Sequence, residues 1–138
     1  VSANVNNDYG MQVNRTGTDG KLFNFRKNGT DVGSISVSGS GISISYTSDQ
    51  RLKENIENSD DSGSTVDSIN VRQYDWKING RHEKYSLIAQ ELKEVIPDVV
   101  IAGETPEAMM GIDYAKLVPL LIKEVQTLRA RVSLLESN

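Results

Sequence analysis

The chain has no cysteine, three prolines, one tryptophan, two phenylalanines and one histidine among 138 residues. Without cysteine there is no disulfide framework, no thiolate zinc site and no thiol nucleophile. His82 stands alone, beside a turn and among charged neighbours, and reads as a solvated surface residue. One histidine and no cysteine give no support to a Ser-His-Asp hydrolase or a multi-histidine metal site, and neither metal nor cofactor is expected. Nucleophilic chemistry would need Ser or Thr, with Lys as base.

Apolar content is low as well. Aromatic residues make up 6%, and with glycine counted the apolar share is about 41%, below the roughly 45–50% usual for a soluble domain. A chain of this length alone would bury only about two-thirds of its unfolded surface, so the shortfall points to neighbouring copies completing the core. Long hydrophobic runs are missing, so no membrane span is expected, and the first thirty residues have no signal-peptide core. A net charge of −4 is the wrong sign for a nucleic-acid binder. A disulfide-free, soluble oligomer is what these absences leave.

What is present falls into two halves. Residues 1–46 hold seven of the eleven glycines and carry four basic against three acidic residues, whereas the remainder has 11 basic against 16 acidic. Thr18-Asp19-Gly20 and Asn28-Gly29 are turn signals flanking residues 21–27, where Phe23 and Phe25 share a face. Residues 32–38 alternate imperfectly. Residues 42–46 alternate strictly, with Ile42, Ile44 and Tyr46 on one face and Ser43 and Ser45 on the other. A flexible Ser/Gly linker has no reason to place Ile at every second position. Such thin strands would be marginal alone, and an intertwined multi-chain β-stalk fits better, its strands burying one another's Ile faces.

In the second half, Ser48 or Asp49 can cap a helix over residues 51–56, with Leu52 and Ile56 on one face. Residues 58–64 read as a loop. Residues 69–78 read as a strand ending at Asn79-Gly80, and residues 85–88 as its hairpin partner. A helix is expected over 89–96, stopped by Pro97, followed by a short buried strand over 99–101. A long helix closes the chain over residues 113–136.

In that helix Val118, Leu121, Val125, Leu128, Val132 and Leu135 form a heptad seam, with Val at each a position and Leu at each d position. Glu124 would meet Arg129 of a neighbour, and Arg131 would meet Glu136, the signs a parallel, in-register assembly of identical chains needs. The competing reading is an amphipathic helix packed on its own domain. Val at a and Leu at d favours two strands, whereas Ile122 and Leu134 widen the apolar face and suit higher order. Pro119 suggests that regular coiling starts after it.

Two apparent motifs fail. Asn58, Asp60 and Ser62 before Gly63 resemble a calcium loop, but its twelfth position is Ile69 rather than Glu. Gly39-Ser40-Gly41 lacks the Lys-Ser/Thr of a phosphate loop.

The junction reads Ser48-Asp49-Gln50-Arg51-Leu52-Lys53-Glu54-Asn55-Ile56. It resembles the start of the intramolecular chaperone auto-processing domain, the S74 peptidase family, which ends many phage tail fibres, tailspikes, neck appendages and endosialidases. The likeness continues through residues 86–92, 96–100 and 112–121, although Ser86 stands where that family more often has Gly and residues 102–111 match poorly. The resemblance implies an α+β architecture: residues 1–47 as the end of a trimeric, triple β-helix-like stalk, and residues 48–138 as a mixed α/β chaperone domain ending in a coiled-coil-type helix over 113–136. It implies a homotrimer that folds the upstream fibre segment of the same chain and then cuts itself once between Thr47 and Ser48. Ser48 would be the nucleophile and Lys53 the base, with Asp49, Arg51 and Asn55 as motif support. A free lysine titrates at about 10.4; burial and Arg51 would lower Lys53, whereas Asp49 and Glu54 would raise it. Assembly in the host cytoplasm, with the mature fibre in the virion tail, goes with that family. A non-cleaving trimerisation cap is the alternative, and a self-releasing membrane-bound transcription factor is a weaker one that the glycine-rich first half disfavours.

Overall fold

The computed structural model describes residues 11–137; the first ten residues of the expected stalk lie outside them. The chain divides into two compact units, Val1–Ile56 and Glu57–Asn138.

The first unit is an antiparallel meander of β1 (Gly20–Lys27), β2 (Thr30–Ser38) and β3 (Gly41–Tyr46). Asn28 and Gly29 both have positive φ (49° and 81°). That makes a two-residue hairpin loop of the primed type, whose twist matches the flanking strands. Arg26 closes it by donating to the Gly29 carbonyl. Gly39-Ser40 makes the second two-residue loop, between paired Ser38 and Gly41. These reversals correct the expected stalk geometry. Loops of two residues return each strand onto its own chain, so among the described residues the strands pair within the chain and no triple β-helix is seen.

The alternation read from the sequence is realised in the register. Phe23 faces Ile35, which faces Ile44; Val37 faces Ile42; Phe25 faces Gly33, which faces Tyr46. Directly opposed residues share a face, so one face is apolar. Ser34 and Ser45 are opposed on the other, their hydroxyls 2.8 Å apart. Ile42, Ile44, Tyr46 and Phe25 on the apolar face are exposed. Gly33 allows a close approach there, since a Cβ would sit 2.9 Å from the Ser45 carbonyl oxygen.

The expected helix over residues 51–56 is a single 3-10 turn, Gln50–Leu52, capped by Asp49. Lys53 is already extended and Asn55 is left-handed (φ 52°), a conformation Asn tolerates but helices do not propagate through. Leu52 and Ile56 therefore form no buried helical face, and both are exposed.

The second unit runs α1 (Gly63–Asp67), β4 (Arg72–Asp75), β5 (His82–Ser86), α2 (Ala89–Val95), β6 (Val100–Ile101), β7 (Gly111–Ile112) and α3 (Leu117–Glu136). Helices and small antiparallel sheets make it mixed α+β. The hairpin β4–β5 is shorter than the run of residues 69–78 suggested. Ile69 N–H still bonds back to Val66 as the exit of α1, while Asn79 and Gly80 N–H both bond the Trp76 carbonyl and fold Ile78 into the turn. Pro97 stops α2 as expected and starts a 3-10 turn, Pro97–Val99. The expected buried strand over 99–101 divides accordingly. Val99 is buried within that turn, Val100 pairs with Ile112, and Ile101 is exposed. Leu92 and Val99 are the buried apolar residues among those described. Among the same residues no helix is long and apolar enough to cross a membrane.

The C-terminal helix begins with a 3-10 turn, Tyr114–Lys116, and is α-helical from Leu117 for 20 residues. Pro119 lies in its first turn, where backbone N–H groups have no intrahelical acceptor, so it interrupts nothing. Its two competing readings turn out to use different stripes. Leu117, Leu120, Lys123, Glu124 and Thr127 are half-buried. On that side Ser62 Oγ lies 3.2 Å from the Leu120 carbonyl and 3.4 Å from Glu124 Oε2, and Thr127 Oγ1 donates to Asp61 at 2.9 Å. The neighbouring heptad seam stays uncovered: Val118, Leu121, Val125, Leu128 and Val132 are 46–54% exposed and Leu135 77%. Glu124 is thus turned to Ser62 of its own unit rather than held out for a neighbour's Arg129. Arg131 and Glu136 are exposed, and among the described residues neither makes an ion pair.

Candidate self-cleavage site

The junction from Thr47 to Asn55 lies within the first unit. Thr47 continues β3 by one residue. Its N–H donates to the Val32 carbonyl at 3.3 Å, and its hydroxyl donates to the Asp31 carbonyl at 3.0 Å. Strand order ends there, and Ser48 leads into the 3-10 turn. That turn reverses the chain enough for Lys53 to reach back, so that Lys53 Nζ donates to Ser48 Oγ at 2.6 Å. A contact across five residues that a longer helix would have prevented is therefore made by the early stop at Lys53.

The other motif residues have separate tasks. Asp49 accepts from Arg51 N–H at 2.9 Å and from the Arg51 guanidinium at 3.0 and 2.7 Å. The hydrogen bonds from Arg51, side chain first and then backbone, hold the Asp49 carboxyl below the usual aspartate range, and the Lys53 charge adds to this. Arg51 is raised in turn by its bond to Asp49. Arg51 is thereby committed to Asp49. Asn55 supplies the left-handed bend and makes no hydrogen bond to Ser48 or Lys53. Ser48 and Lys53 are both exposed. A shallow groove of about 400 Å³ beside the Thr47–Ser48 bond is lined by Thr30, Asp31, Thr47, Asp49, Arg51 and Leu52.

Asp31 was not singled out from the sequence. Its carboxylate accepts from Lys21 Nζ (3.0 Å) and Asn24 Nδ2 (3.1 Å) and pairs with Arg26 Nε (2.9 Å). The hydrogen bonds from Lys21 and then Asn24 depress its pKa. What reaches Thr47, however, is the backbone carbonyl, and a backbone acceptor leaves no mark on residue type.

In the second unit His82 is exposed, as its neighbours suggested, and sits 2.7 Å from Asp75 Oδ1. Ser86, at the position where Gly is more frequent in the resemblance, is accommodated by a 3.1 Å contact with Tyr74 OH.

Residues 48–101 match the model of the Peptidase_S74 family, described as the chaperone of endosialidase. That stretch is similar to this family, whose name fits a chaperone role for that part of the chain. The match begins at Ser48 and ends before residues 112–121 and α3. No curated protein and no solved structure matches the chain.

Proposed function

We propose that residues 48–138 act as an intramolecular chaperone that trimerises and folds the β-rich fibre segment upstream, then severs Thr47–Ser48 once. The observation that carries this reading is the 2.6 Å approach of Lys53 Nζ to Ser48 Oγ, at the first residue of the family match. In the reaction neutral Lys53 takes the Ser48 hydroxyl proton while Oγ attacks the Thr47 carbonyl carbon. The C–N bond breaks, the proton passes to the Ser48 amine, and the resulting ester is hydrolysed by water. Nucleophile and carbonyl are adjacent in the chain, so no substrate has to be captured, and such placement supplies several kcal/mol of the barrier. Lys53 is the base because it is the amine within hydrogen-bond reach.

Assembly as a homotrimer is supported by two uncovered apolar surfaces, the seam of α3 and the Ile face of β2–β3. A phage tail fibre or tailspike is the client this combination suits, assembled in the host cytoplasm and carried into the virion tail. A permanent, non-cleaving trimerisation cap is the second reading, favoured by the exposure of Lys53, since an ammonium donating to Ser48 would be a structural bond only. Intact-mass analysis of freshly made protein separates the two. A fragment beginning at Ser48, absent from Ser48→Ala and Lys53→Ala, supports self-cleavage. A wild-type chain that stays whole supports the cap.

A further inference from the structure

The bond from Thr47 Oγ1 to the Asp31 carbonyl has no part in the chemistry described so far, and it ties the residue before the cut to the start of β2. We propose that Thr47 is a positioning residue whose hydroxyl and N–H, held by the Asp31 and Val32 carbonyls, fix the carbonyl that Ser48 attacks. The inference rests on reading Thr47–Ser48 as the scissile bond.

Attack by a neighbouring hydroxyl needs the carbonyl carbon held in one orientation, because a peptide free to rotate about its flanking bonds spends little time aligned. Thr47 is anchored at two points. Its N–H bond is long at 3.3 Å, so the hydroxyl at 3.0 Å is the better anchor. Neither acceptor belongs to the motif. Asp31 and Val32 are the second and third residues of β2, and the Asp31 side chain is itself gripped from β1 by Lys21, Asn24 and Arg26. Gly33, the next residue, pairs with Tyr46, the residue before Thr47. The anchors are in position only once β1, β2 and β3 have paired. An unpaired client strand leaves Thr47 loose, and the dyad then has a mobile target. The cut thereby reads the folded state of the client's last strands through one hydroxyl.

The test uses the full chain, following the fragment that begins at Ser48 by intact mass over time. Thr47→Val removes the donor but keeps the shape, and slows cleavage about five- to tenfold, the worth of one neutral hydrogen bond. Thr47→Ser keeps the donor and stays within about twofold of wild type. The shape of the pH–rate profile is the same in all three, since Lys53 is untouched. Gly33→Ala, whose Cβ would meet the Ser45 carbonyl at 2.9 Å, also slows the cut by wedging β2 from β3. Amide exchange in the uncleavable Ser48→Ala chain supplies a second readout: the Thr47 amide is protected, and Gly33→Ala removes the protection. Equal rates for wild type and Thr47→Val overturn the positioning role while the cleavage reading stands. A Thr47 amide exchanging as fast as an exposed one overturns the clamp itself. A wild-type chain that never cuts despite a protected Thr47 overturns the cleavage reading, and the proposal with it.

Discussion

Replacing Leu128 by Asp tests whether the uncovered stripe of α3 is an assembly seam. Leu128 is 46% exposed within its own chain. Fully burying a leucine is worth about 1.5–3 kcal/mol, so covering the exposed part gains about 1 kcal/mol. Five of the six seam positions are exposed to a similar degree and Leu135 more, which gives a parallel assembly about 6 kcal/mol per chain from apolar burial. An aspartate at position 128 forfeits one such share and places a carboxylate among apolar neighbours, at a further cost of about 3 kcal/mol. The loss of about 4 kcal/mol per chain is roughly a thousandfold in association constant for each chain added. Sedimentation equilibrium at tens of micromolar should find trimers for wild type and monomers for Leu128→Asp. Ala130→Asp, exposed and off the seam, should remain trimeric and rule out a simple charge effect. A monomeric wild type, or a Leu128→Asp chain of unchanged mass, would refute the reasoning.

Two further outcomes are expected. Ser62→Ala leaves the Leu120 carbonyl and Glu124 without their shared donor; because Ser62 is buried, the second unit should lose about 1 kcal/mol, read as a lower midpoint in urea unfolding with unchanged slope. Asp31 has its pKa depressed by its bonds to Lys21 and Asn24, so the folded first unit binds this proton less readily than the unfolded chain does. Its contribution is present above an unfolded aspartate's 3.8 and is lost as pH falls through the lower folded value. Amide protection in β1–β2 should hold through mild acid and fall only below that range, and Asp31→Asn should remove this acid dependence.

Much of the strand and helix plan was legible because its signals are local. Asn28-Gly29 dictates a hairpin through φ alone, Ile42, Ile44 and Tyr46 alternate because their strand does, and Pro97 ends α2 by lacking a donor. The failures came where a local preference met a non-local partner. Residues 51–56 have a helical cap and spacing, yet the Asn55 bend ends the turn and frees Lys53 to return to Ser48. Residues 69–78 have β-type side chains, but Ile69 is held by α1 and Ile78 by the Trp76 turn. In α3 the periodicity showed one seam and could not show the second stripe, because Glu124 and Thr127 are recruited by Ser62 and Asp61 far away in sequence. At the candidate site the side chains could be named from the motif. The carbonyls that hold Thr47 could not, since every residue has one.

The boundary between the two compact units falls after Ile56, not at the bond before Ser48. Residues 48–56 would therefore be severed from the fibre covalently while still grouped with its last strands, beside Thr30 and Asp31. On the proposed cleavage, hydrolysis and departure would be separate events. The nicked chain would be a latched complex, its new amino terminus at Ser48, and the chaperone would leave only when this short strap peels away. Size-exclusion under native conditions would then overlook a cut that denaturing mass spectrometry detects at once.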